Sequence, residues 1–217
     1  MADIFHEVDE EVRRERLQKL WERYSIYIIG LAVLIVAGIG AWRAYEWWLG
    51  KQAVAAGAKF EQALTLSEQG KHSEAEQAFA KIAADAPAGY RVLARFSAAA
   101  QLAQDKPADA VKAYDQIAAD ASLGQTLQDL AGLRAGMLLV DTAPLAEMEK
   151  RLTPLSEPGR TFRASARELL ALSAWHNNDV AAAKKYLDMI AIDAESPPGV
   201  RARAEVLSAL IAAGGKS

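Results

Sequence analysis

The chain has 217 residues, enough for one domain with a leading segment and hardly enough for two. A net charge of −3 excludes a basic surface for nucleic acid, and the lack of Cys excludes disulfides, zinc–thiolate sites and a thiol nucleophile. Alanine is abundant, Pro is scarce, and runs of β-branched and aromatic residues are confined to one segment. That composition favours helices, because Ala loses no side-chain entropy in one.

Residues 1–23 read as a charged tail. Phe5, Val8 and Val12 share one helical stripe, and Leu17, Leu20, Trp21 and Tyr24 share another. Asp3 suits a helix start, with acids early and most bases later, as the helix dipole prefers.

Residues 24–42, YSIYIIGLAVLIVAGIGAW, carry no charge. As a helix they rise about 28 Å, close to the ~30 Å hydrocarbon core of a bilayer. Trp21, Tyr24 and Tyr27 stand at one end, and Trp42, Tyr45, Trp47 and Trp48 at the other, as interfacial rings do. The segment therefore predicts a membrane-spanning helix. A buried core helix fits less well, because such a helix seldom stays apolar on every face. A cleaved signal peptide also fits less well, because the preceding tail is long and acid-rich.

Arg13, Arg14, Arg16, Lys19 and Arg23 precede the span, against Arg43, Lys51 and Lys59 after it. That balance predicts a cytoplasmic tail and an extracytoplasmic remainder, which in a bacterium is periplasmic. Ala37, Gly40, Ala41 and Ala44 fall on one face of the span's end, where small residues let another helix approach.

The remainder, 51–217, repeats itself. EAEQAFAKIAADAPAG at 74–89 and DAVKAYDQIAADASLG at 109–124 are offset by 35 and agree at eight of sixteen positions. A further copy, AAAKKYLDMIAIDA, lies at 181–194, and a degenerate one is predicted at 144–159. Each copy follows another helical stretch, broken at Gly70, near Asp105 to Pro107, and at Asn177 and Asn178. A helix, a turn and a helix at this period resemble the tetratricopeptide repeat. Small residues at the paired-helix contact and an aromatic in the second helix map to Ala63, Ala75 and Phe79, with Pro87 ending that helix. They map again to Ala98, Ala110 and Tyr114, and to Ala171, Ala183 and Leu187. The third repeat lacks the aromatic, with Lys150 near its place. The fold predicted is all-α: one transmembrane helix, then about four repeats and a capping helix from about Pro198 to Ala213.

No catalytic or metal-binding constellation is legible. His6, His72 and His176 have no second His at ligand spacing, and no phosphate-binding or nucleophile-elbow motif occurs. A non-enzymatic interaction protein without cofactor follows. Repeats of this kind present the first helix of each pair to partners. By register that face carries Phe60, Leu64, Glu68, Arg95, Leu102, Glu168, Leu172 and Trp175, with packing of Trp175 on the capping helix as the alternative.

Tail, span and Ala-rich repeats together resemble the bacterial YfgM-type family, ancillary to the SecYEG translocon. The resemblance implies a periplasmic repeat domain in the inner membrane. It also implies contact with Sec translocon subunits, with a membrane-anchored periplasmic chaperone of the peptidyl-prolyl isomerase type, and with exported clients. The competing class is a structural or scaffold protein of the envelope, acting by self-association or by recruiting assembly enzymes.

Overall fold

The computed structural model describes the backbone of residues 3–214 and the side chains of residues 21–214. Every regular element among them is helical. In chain order these are α1 (Asp3–Glu68), α2 (His72–Asp85), α3 (Ala88–Asp105), α4 (Pro107–Ala118), α5 (Gln125–Leu139), α6 (Leu145–Ser156), α7 (Arg163–His176), α8 (Val180–Ile192) and α9 (Pro198–Ala212), with a 3-10 turn at Ala121–Leu123. The tail's proposed stripe of Phe5, Val8, Val12, Leu17 and Leu20 lies outside the described side chains. The chain forms two compact units, Met1–Val54 and Ala55–Ser217.

In the first unit, α1 carries the apolar segment. Its most apolar window averages a hydropathy of 2.2 and buries nothing within the protein. Ile26, Val36 and Leu34 are each about two-thirds exposed or more, so apolar side chains point outward around the helix. Water penalises such a surface and lipid does not, and the length suits one bilayer crossing. Beyond it, Lys51 Nζ lies 4.1 Å from the Trp47 ring centroid, and Tyr45 and Trp48 pair at 6.2 Å.

The second unit is a stack of helix pairs. The end of α1 shares a core with α2, α3 pairs with α4, α5 with α6 and α7 with α8, and α9 closes the series. Gly70 turns the first pair at φ +73°, a conformation open to glycine, and Asn178 turns the fourth at φ +63°. Asp179 then caps α8 by accepting from the Ala182 N–H at 2.9 Å.

Alanine sets the spacing. Ala63, Ala75, Ala110, Ala171 and Ala183 are fully buried, each letting two helix axes approach to about 8–10 Å. Phe79, Tyr114 and Leu187 fill the space beside them, and burying each apolar body stabilises by roughly 1.5–3 kcal/mol. Ala98 is only partly buried, and Ala94 and Ala99 of α3 are the residues fully enclosed.

The third pair departs from the sequence reading. Lys150 is exposed, and Leu152, fully buried, takes the aromatic's place with Met148 in the small residue's place. Glycine compensates on the facing helix. A Cβ on Gly136 would lie 3.0 Å from Leu152 Cδ2, so an alanine there would press the leucine to give by a few tenths of an ångström.

Candidate partner-binding surface

The eight first-helix residues separate into three local environments. Phe60 turns inward. Its ring centroid lies 5.0 Å from Phe79 and 6.1 Å from Tyr90, inside the first core cluster. Tyr90 reaches that cluster because Gly57 offers no side chain, and a Cβ there would meet the tyrosine oxygen at 2.8 Å. Leu64 and Glu68 are exposed on the same helix.

Arg95 is committed within its own repeat. Its Nη1 donates to Asp120 Oδ2 at 2.6 Å, past the end of α4. The Asp120 carboxyl is held down at about 2, first by the Ser122 hydroxyl and then by Arg95. Leu102 lines a small cleft of about 30 Å³ with His72, Gln101 and Asp105, in which His72 Nδ1 and Gln101 Oε1 are 2.9 Å apart.

Glu168, Leu172 and Trp175 do come together. Leu172 and Trp175 of α7 form one wall of an open apolar cleft of about 360 Å³. Ala202, Arg203, Val206, Leu207 and Leu210 of α9 form the other wall. Glu168 does not line the cleft but holds one of its lining residues, accepting from Arg203 Nε at 2.5 Å and Nη2 at 2.8 Å. That fork fixes the guanidinium geometry and raises the Arg203 pKa. The face of Trp175 toward the capping helix is thus a groove wall. This is the alternative that the sequence offered for Trp175, and α9, which starts 35 residues after α7, sets Leu210 in the register of Trp175.

An ion cluster locks α7 to the end of α8. Arg163 Nε donates to Asp193 Oδ2 at 2.7 Å and Nη2 to Oδ1 at 3.1 Å, and Nη2 also reaches Glu195. Arg167, 5 % exposed, adds Nη1 to Asp193 Oδ2 at 2.7 Å and donates to the Ser156 and Met189 carbonyls. Arg163 above all holds the Asp193 carboxyl far below the usual range, and Asp193 in turn raises Arg163. Nε and Nη2 of Arg163 and Nε and Nη1 of Arg167 all donate to oxygens of the protein itself, so the cluster positions the helices.

The span residues Ala37, Gly40, Ala41 and Ala44 are all exposed, and no side chain approaches Gly40 within 4 Å.

Stacked helix pairs with an apolar first-helix groove define a helical-repeat scaffold of the protein-interaction class. The family model for the tetratricopeptide repeat-like domain matches residues 18–169, and the chain belongs to that family. No curated protein and no solved structure matches the chain.

Proposed function

We propose that the protein is a membrane-anchored interaction factor of the YfgM type. Residues 1–23 are cytoplasmic, 24–42 span the bacterial inner membrane, and 51–217 are periplasmic. It associates with Sec translocon subunits and a membrane-anchored peptidyl-prolyl isomerase-type chaperone, and helps exported proteins reach the chaperone. One observation supports this reading: the family match runs from residue 18 to 169, across the apolar segment and the first three helix pairs. A repeat domain tied to a single apolar helix is suited to holding partners beside a membrane. The groove of Leu172 and Trp175, and the small-residue face of Ala37, Gly40, Ala41 and Ala44, are the two contact surfaces in this reading.

Two manipulations test it. Alkaline phosphatase fused after Ser217 is active if the repeats are extracytoplasmic, and an inactive fusion refutes the topology. Replacing residues 24–42 with an unrelated apolar helix weakens copurification with the translocon while preserving the helical fold. Unchanged copurification removes the span from the contact.

A further inference from the structure

The capping helix has the register of the first helix of a fifth pair. Its start follows that of α7 by 35 residues, the period of the repeats. In α7, Arg167, Leu170, Ala171 and Ala174 are buried within the pairing of neighbouring helices. Their equivalents in α9 are Ala202, Glu205, Val206 and Ala209, and all four are exposed, Val206 at 61 %. Meanwhile Val200, Ala204, Leu207 and Ile211 bury the opposite side of α9. The helix is stacked on one side and open on the side where a second helix sits in the complete pairs.

Those second helices share one pattern. Ala75, Phe79, Ile82 and Asp85 recur as Ala110, Tyr114, Ile117 and Asp120, and again as Ala183, Leu187, Ile190 and Asp193. The first three of each set are buried. In two of the sets the closing Asp takes an arginine from the first helix of its own pair: Arg95 on Asp120, and Arg163 with Arg167 on Asp193. On α9 the register of Arg95 is occupied by Arg203. Its side chain remains 62 % exposed even with Glu168 attached. Glu205 does not close the face, because the same register holds Gln62 and Ser97 in two complete pairs.

We propose that the open row of α9 docks an amphipathic helix of a partner protein that completes a fifth pair in trans. The partner helix carries Ala-x3-(aromatic or Leu)-x2-Ile-x2-Asp. Its Ala and Ile rest on Ala202, Val206 and Ala209, and its Asp meets Arg203. Ala202, Arg203 and Val206 also form the α9 wall of the groove described above, so the inference deepens that contact surface, while its argument from register and exposure does not require the translocon.

The probe is a helix-stapled peptide copying residues 179–194, titrated against the full chain in detergent and followed by fluorescence anisotropy. Saturable binding is expected, weakened at least about tenfold by Val206→Glu or Ala209→Glu, both at exposed positions that leave helicity unchanged. Arg203→Asp weakens binding, and a peptide with the Asp193 equivalent changed to Arg restores it. Absence of saturable binding overturns the proposal, as does affinity indifferent to Val206→Glu, which would place the peptide elsewhere. Self-association of the free chain that Val206→Glu abolishes also overturns it, by assigning the face to a second copy.

Discussion

The second and third helix pairs solve the same packing problem with opposite distributions of volume. In the second pair, α4 contributes the small Ala110 and the large Tyr114, with Ala99 enclosed on α3. In the third, α6 contributes two large residues, Met148 and Leu152, and α5 gives way with Gly132 and Gly136. What is held constant is the summed volume between two axes and not the residue at any one position, as close packing demands. A one-sided pattern therefore survives only where both helices keep their share.

The largest expected effect breaks the third pair. Leu152→Ala should lower unfolding stability by about 2–5 kcal/mol, because α6 cannot collapse into the space left. Adding Gly136→Ala should recover part of that loss, although Gly136→Ala alone destabilises. A double-mutant cycle by chemical unfolding checks the coupling, and additivity would dissociate the two residues.

The next effect belongs to the second pair. Ala110 is fully enclosed, so Ala110→Trp should destabilise by about 1–3 kcal/mol or more through overpacking. The milder Gly132→Ala, whose Cβ would sit 3.4 Å from Leu155 Cδ2, should cost less than Gly136→Ala. Thermal melts of the three variants rank them, and equal costs would contradict the volume argument.

Acid provides a third comparison. Asp120 and Asp193 both have carboxyl pKa values depressed in the folded protein, Asp120 to about 2. Depressed carboxyls stabilise above the unfolded value near 4, and the contribution is lost as pH falls below it. Stability should therefore drop between about pH 4 and 2. Asp193→Asn should flatten that dependence more than Asp120→Asn, since Arg163 and Arg167 both converge on Asp193. The smallest effect is expected at the exposed Lys112–Asp109 pair, 2.9 Å apart, where solvent screens the charges and Asp109→Ala should shift stability less than any variant above.

The apolar segment, the first, second and fourth pairs and the cap were legible from residue pattern, because Ala, aromatic or Leu, Ile and Asp recur there at fixed spacing. The third pair was not fully legible. Its first helix starts 37 residues after α3 and its second 38 after α4, so the pair lags the 35-residue period and Leu152 rather than Lys150 takes the aromatic's place. Pro154 inside α6 further disguises the helix. Register put Leu172 and Trp175 on one face of α7 and offered α9 only as an alternative neighbour for Trp175. It could not show that Phe60 turns inward, because Tyr90 arrives from the next repeat, nor that Arg95 and Glu168 are held by Asp120 and Arg203. Such ion pairs join residues 25 and 35 apart, and their arginines do not recur from one repeat to the next.

The central claim is that a repeat scaffold held by one apolar helix carries partners beside the membrane. Photo-crosslinking in native membranes, with the reactive residue placed at Leu172, at Gly40 or at exposed Lys112, followed by mass spectrometry, tests it most directly. The account predicts a chaperone or client from Leu172, a translocon subunit from Gly40, and neither from Lys112. Recovery of only the protein itself from both Leu172 and Gly40 would contradict it and favour a self-associating envelope scaffold.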